Sequence, residues 1–220
     1  MNTPKADSDK TAQTSLMTLV DHPIIRERLT HIRSVDSATA EFRYALHDVA
    51  RLMTFEVTKD LETTIIEVET PLKKTDGYDL ERPIVLVPIL RAGVGMLNGF
   101  AEILTEASVG YIGLYRNEET HQPHSYYCKL PANIAEAEVI LIDPMLATGG
   151  SAADAADELK KAGAERLRFA CLIAAPEGVA AFEERHPDIP VFAAALDERL
   201  DENAYIIPGL GDAGDRYFGT

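Results

Sequence analysis

From Pro83 onward, short unbroken apolar runs alternate with segments of helical character, and this alternation restricts the fold more than any other feature. The runs are 84–89, 109–114, 139–142, 167–174 and 189–195; residues 96–104, 152–162 and 179–184 read as helices between them. A strand that is buried on both faces reads as a continuous Val/Ile/Leu run, and parallel pairing needs a crossover, normally a helix. The pattern therefore predicts an α/β fold, a parallel sheet with helices on both faces. Upstream the chain reads as helical. Asp21-His22-Pro23 can cap a helix in which Ile24, Ile25, Leu29 and Ile32 share one face. Ser37 can cap a longer helix with Phe42, Leu46, Val49 and Met53 at helical spacing. A β-branched stretch over 63–70 predicts a strand. The polar interruption at 116–131 is long for a connection and is expected to project as a loop or hairpin.

At roughly 150 residues per domain, a chain of this length suits one large domain, expected over 16–220, with 1–15 as a disordered tail. The 36 acidic residues against 21 basic ones give a net charge of −15. That balance disfavours nucleic acid and anionic membrane surfaces as partners, because both select a basic face. No apolar run approaches the length of about 18 residues that a membrane span needs. The N-terminus lacks the apolar core of a secretion signal. Cys128 and Cys171 show no metal-ligand spacing and read as small packed residues of a cytoplasmic protein.

The segment Val139-Ile140-Leu141-Ile142-Asp143-Pro144-Met145-Leu146-Ala147-Thr148-Gly149-Gly150-Ser151 carries the most chemistry. A buried strand delivers Asp143 to its carboxyl edge, where ligands sit in open α/β sheets. Thr148, Gly149, Gly150 and Ser151 then open a helix, where unpaired N–H groups and the positive dipole end favour a phosphate. It is not a Walker A loop, since no Gly-Lys-Ser/Thr follows. Taken loosely, a strand, an acid and Thr-Gly-Gly fit an ordinary capped turn equally well.

The full string is more specific: it resembles the phosphoribosyl diphosphate (PRPP) signature of type I phosphoribosyltransferases. Most of that superfamily carries two adjacent acids before the loop. Here the second is Pro144, and with Met145-Leu146-Ala147 this resembles the uracil phosphoribosyltransferase branch. Three more segments support the resemblance, in the family's order, over about 20–220. The first is Pro88-Ile89-Leu90-Arg91-Ala92-Gly93-Val94-Gly95-Met96; the second is Tyr115-Arg116 with the polar loop through Tyr126-Tyr127-Cys128-Lys129-Leu130-Pro131. The third is the glycine-rich C-terminus from Tyr205 to Thr220, which is expected to be docked rather than frayed.

The resemblance implies a type I phosphoribosyltransferase core with a helical N-terminal region and a C-terminal base-binding segment. It implies that PRPP is bound by Arg91, Arg116, Asp143, Pro144, Met145, Leu146, Ala147, Thr148, Gly149, Gly150, Ser151 and Asp212. Uracil would be held by Ile206, Gly211, Asp212 and Ala213, largely through main-chain groups. The residues implied in catalysis are Asp143, Arg116 and Asp212. Mg²⁺ would arrive on PRPP rather than on protein ligands, GTP is a possible allosteric activator, and a homodimer or homotetramer is expected. Two other activities fit the same fold: a phosphoribosyltransferase for another base, and an RNA-binding regulator of pyrimidine genes. Scattered Lys and Arg and the broken acidic pair disfavour the regulator, and the Gly-Leu-Gly-Asp-Ala-Gly-Asp tail favours uracil. His121 and His124, Glu118-Glu119 and the acidic stretch from Asp197 to Glu202 read as solvated surface.

Overall fold

The computed structural model describes residues 16–116 and 123–220, so the expected tail at 1–15 and the loop tip at 117–122 lie outside the described residues. The helices are α1 (Pro23–Arg33), α2 (Thr39–Val57), α3 (Val94–Ile103), α4 (Gly150–Lys161), α5 (Pro176–Arg185) and α6 (Ala213–Phe218). The strands are β1 (Met17–Leu19), β2 (Thr63–Glu69), β3 (Lys74–Leu80), β4 (Ile84–Leu90), β5 (Ser108–Val109), β6 (Tyr111–Arg116) and β7 (Pro123–Lys129). They continue with β8 (Glu138–Ile142), β9 (Met145–Leu146), β10 (Arg166–Ala174), β11 (Val191–Leu196), β12 (Arg199–Leu200) and β13 (Ile206–Ile207).

The apolar runs form the centre of one sheet in the order β1-β11-β10-β8-β4-β6-β7, with β5 beside β4 and β9 beside β10. All of its pairings are parallel except β6 with β7. Because strand side chains alternate, a run that is apolar throughout feeds two cores. Ile84, Leu86, Ile140, Ile142, Ala170 and Leu172 pack with Ile25, Leu29, Ile32, Phe42, Leu46, Met53, Met96 and Phe100 from α1, α2 and α3. Val85, Val87, Val139, Leu141, Phe169 and Cys171 pack with Ala152, Ala156, Leu159, Val179 and Phe182 from α4 and α5. The parallel sheet brings the carboxyl ends of β4, β6, β8, β10 and β11 to one edge.

Local chemistry accounts for the boundaries. The His22 side chain caps α1 by accepting from Ile24 N, with Pro23 in the first turn. Ser37 does not cap α2: the cap residue is Ala38, and the Ser37 hydroxyl donates to the His31 carbonyl, tying α1 to α2. The run at 109–114 is not one strand, because Gly110 N donates to Leu86 O between β5 and β6. The polar stretch after Arg116 returns as β7, a hairpin on β6. The strand expected at 63–70 is β2, but it joins no core. Among the described residues it pairs only with β3 (which the sequence pattern did not suggest), and all but one residue of the two strands are exposed.

Candidate active site

At the carboxyl end of β8 the ladder is interrupted for two residues. Asp143 N still donates to Ala170 O, after which the Pro144 carbonyl accepts from both Leu172 N and Ile173 N, and pairing resumes with β9 on β10. Proline lacks the N–H that such a bulge would leave unpaired. Among the described residues the Asp143 carboxyl accepts one long hydrogen bond, from Met145 N at 3.4 Å. Asp143 is partly buried. Desolvation pushes its pKa up to about 7, against the opposing pull of the Met145 N–H. A partly buried acid at a sheet's carboxyl edge, with its pKa raised by desolvation, marks a candidate site.

Ala147 and Thr148 carry the chain to α4. Gly149 adopts φ 80°, the left-handed region that glycine enters freely, and caps the helix with no side-chain hydrogen bond. The first turn of α4 holds no acid, and its last turn holds Lys160 and Lys161. Its first turn thus sets no carboxylate of its own against its leading N–H groups, and Thr148 and Ser151 are exposed beside them. The loop rests on α5 at Gly178, where a Cβ would lie 2.2 Å from Ala147 O. Gly178 is a supporting position that sequence reasoning missed. Pro144 and Leu146 are buried and Met145 is partly buried, so chiefly their backbone is presented at this edge.

The turn at Arg91 lies alongside. A Cβ at Gly93 would sit 2.5 Å from Ile142 O, so the turn is pressed against the end of β8, next to Asp143. Arg91 is exposed, 3.4 Å from Asp215 and 5.4 Å from the Phe218 ring centroid. Arg116 ends β6, which runs parallel to β4 and pairs Gly113 with Leu90; its side chain lies outside the described atoms.

The C-terminal segment is docked, as expected. β13 pairs with β12, Gly209 and Gly211 have positive φ, and α6 packs on α2. Its Gly214 sits 3.8 Å from Ala92, measured from an added Cβ, so it abuts the Arg91 turn. Ile206 and Ala213 are buried, whereas Gly211 and Asp212 are exposed. Asp212 caps α6 by accepting from Asp215 N at 2.8 Å. The acidic stretch from Asp197 to Glu202 departs from its solvated reading at its first residue. Asp197 is buried and bridges Arg33 to Gly209 N. The available signal was its place directly after a buried strand, but its partner Arg33 lies 164 residues away. His121 and Glu118-Glu119 lie outside the described residues, as does the side chain of His124.

The family model for uracil phosphoribosyltransferase matches residues 19–220. A uracil phosphoribosyltransferase of Malacoplasma penetrans is 54% identical over 93% of this chain and 100% of its own. The chain belongs to the uracil phosphoribosyltransferase family. A second family member, from Ligilactobacillus salivarius, is 52% identical over 92% of this chain and 97% of its own. The solved structure of the AQ2163 protein of Aquifex aeolicus superposes with a TM-score of 0.87 at 36% identity, covering 93% of this chain and 98% of that one. An adenine phosphoribosyltransferase from Trypanosoma brucei shares the fold at a TM-score of 0.58 and 12% identity, covering 90% of this chain and 89% of that one. Membership of the uracil phosphoribosyltransferase family makes the chain a phosphoribosyl-transferring enzyme of the glycosyltransferase class.

The family pairs PRPP with Mg²⁺, and the residues here fit a metal that brings its own ligands. Asp143 is the one carboxylate at the end of β8, position 144 is a buried proline, and no group of three or more His, Cys, Asp or Glu could hold a metal among the described residues. Mg²⁺ usually keeps several waters and binds through one or two carboxylates and phosphate oxygens, so it does not require a protein cage of that kind. Neither cysteine is activated: burial pushes both thiols up, with the Asp143 carboxylate adding to the effect at Cys171. Among the described residues no helix is long and apolar enough to cross a membrane.

Proposed function

We propose that this protein transfers the phosphoribosyl group of PRPP to uracil, giving UMP and diphosphate, as one unit over 16–220 working in the cytoplasm. The observation that carries the reading is the meeting, at one sheet edge, of the glycine-capped α4 start, the partly buried Asp143 and the docked glycine-rich C-terminus. Uracil N1 attacks ribose C1′ as the bond from C1′ to diphosphate breaks. Diphosphate leaves with the electron pair, and the N1 proton is lost.

No protein nucleophile enters this route. The residues position the reactants and stabilise charge. The α4 start, from Ala147 to Ser151, holds the 5′-phosphate on backbone N–H groups and hydroxyls. The bulge Pro144-Met145-Leu146 shapes that loop, and Asp143 accepts from the ribose hydroxyls. Arg91 exchanges its exposed contact with Asp215 for the diphosphate, and Arg116 joins it from β6. PRPP enters as its Mg²⁺ complex, whose metal offsets diphosphate charge. Main-chain groups at Ile206, Gly211 and Ala213 read the alternating C=O and N–H edge of uracil. Asp212 keeps one oxygen on the Asp215 N–H and offers the other to the base and its N1 proton. The β6–β7 hairpin closes over the reaction to exclude water.

The enzyme acts as a homodimer or homotetramer. The β2–β3 arm supports this, since Ile65 and Tyr78 are 68% and 72% exposed and a lone two-stranded hairpin is marginal in water. Sedimentation that gives only monomer would refute the assembly. For the reaction, purified protein is incubated with uracil, PRPP and Mg²⁺, with and without GTP, and UMP is measured. UMP formation is expected, and its dependence on GTP reads out any allosteric activation. No UMP under either condition overturns the assignment.

A further inference from the structure

The C-terminal loop is held by a polar clamp that has nothing to do with ending a chain. Gly209, buried at φ 67°, donates its N–H to Asp197 Oδ2 at 2.9 Å. Its carbonyl accepts from Arg33 Nη1 at 2.8 Å, and the same nitrogen donates to Asp197 Oδ2 at 2.8 Å. Arg33 Nη2 closes the fork on Asp197 Oδ1. Both polar groups of one residue are thereby fixed by a single bidentate ion pair. The Asp197 side chain is only 3% exposed, so the pair works where charge is costly to bury.

The next carbonyl, Leu210 O, accepts from Arg216 Nη1 at 2.9 Å. Arg216 also donates to Ile32 O and Ser34 O at the end of α1, and its guanidinium lies 4.6 Å from the Phe42 ring centroid. Two consecutive residues, directly before Gly211, are thus gripped by guanidinium groups based on α1 and α6. A tail that only had to stay docked could rely on Ile206, Leu210 and Ala213, which are all buried. Recognition of a base by main-chain groups makes a stricter demand, because a loop displaced by a fraction of an ångström misaligns every donor and acceptor at once.

We propose that Arg33, Asp197 and Arg216 are positioning residues for the nucleobase, setting the main chain of 206–213 through Gly209 and Leu210. This rests on the reading of that loop as the uracil site. The test is steady-state kinetics of Arg33→Lys and Asp197→Asn beside Gly211→Ala, with KM measured separately for uracil and PRPP and selectivity measured against cytosine. Lysine keeps the charge but loses the fork, and asparagine keeps the shape but loses the ion pair. A Cβ at Gly211 meets only Arg216 Cδ, at 3.8 Å, so Gly211→Ala disturbs the loop backbone itself without a clash.

The expected result for Arg33→Lys and Asp197→Asn is a KM for uracil raised about tenfold and weaker discrimination against cytosine, with the KM for PRPP within about twofold. If Gly211→Ala raises the KM for uracil while the clamp variants lower only kcat, in step with lost folded enzyme, the clamp is structural and the proposal is overturned. If Gly211→Ala also leaves the KM for uracil unchanged, the base-site reading fails instead. Should Arg33→Lys not fold, Asp197→Asn decides by the same criteria.

Discussion

Asp143→Asn should make the free enzyme more stable and destroy its activity, with a gain in stability that depends on pH in a defined way. In the folded protein the carboxyl is pushed from 3.8 up to about 7 by desolvation. Between those values the native state binds more protons than the unfolded chain, so stability falls as pH rises through the window and levels off above about 7. Each unit of difference corresponds to about 1.4 kcal/mol, which sets an upper bound of about 4 kcal/mol for the penalty at pH 8. Water reaching the accessible part of the residue brings the expected figure nearer about 2 kcal/mol. For a chain of this size that is a rise in Tm of roughly 4–8 °C. Unfolding of both proteins without ligand, by urea or heat at pH 5, 6, 7 and 8, provides the measurement. The difference between variant and parent should widen from pH 5 to about 7 and then level off, while kcat/KM for PRPP falls at least about a hundredfold from the loss of the charged acceptor. Parallel stability curves would show that the carboxyl is solvated in the native state and that its environment has been misread.

The parent enzyme's kcat/KM for PRPP should rise with pH through an apparent pKa near 7, where Asp143 ionises in the free protein; a flat profile from pH 5.5 to 8 contradicts this. Gly178→Ala places a Cβ 2.2 Å from Ala147 O, so it should displace the α4 loop and raise the KM for PRPP about tenfold, leaving uracil selectivity intact. Arg91→Ala removes an ion pair with both partners more than half exposed, so thermal unfolding should hardly move, while the KM for PRPP rises about tenfold or more. In the native enzyme, Cys171 should resist thiol reagents at pH 8, whereas the exposed Cys128 reacts slowly, as read by mass spectrometry of the labelled peptides.

Those parts of the fold that bury apolar surface were legible in the sequence. Runs such as 84–89 and 167–174 read as strands buried on both faces, and the helices between them pointed to a parallel sheet with the candidate site beyond Ile142. β3 was not legible, because Lys-Thr-Asp-Gly-Tyr-Asp-Leu faces solvent on both sides and no alternation of polarity is imposed on it. Ser37 has the chemistry of a cap, yet the turn after α1 offered its hydroxyl the His31 carbonyl instead. In the site, residues whose role is local could be read directly: Asp143 on its strand end and Gly149 at its helix start. Asp197 and Gly178 could not. Each matters through a contact with a distant segment, Arg33 for one and the Ala147 carbonyl for the other, and no short window of sequence contains both partners.

The bulge at Pro144 has a consequence for how the enzyme meets its metal. A second acid at that position would have to sit in a buried slot whose carbonyl already serves two N–H groups of β10. The backbone that presents Asp143 therefore leaves little room for a paired carboxylate, in keeping with the proposal that Mg²⁺ arrives on the substrate. The rate should then follow the concentration of the Mg²⁺–PRPP complex rather than that of free Mg²⁺. Metal affinity, in such an enzyme, becomes a property of what it binds.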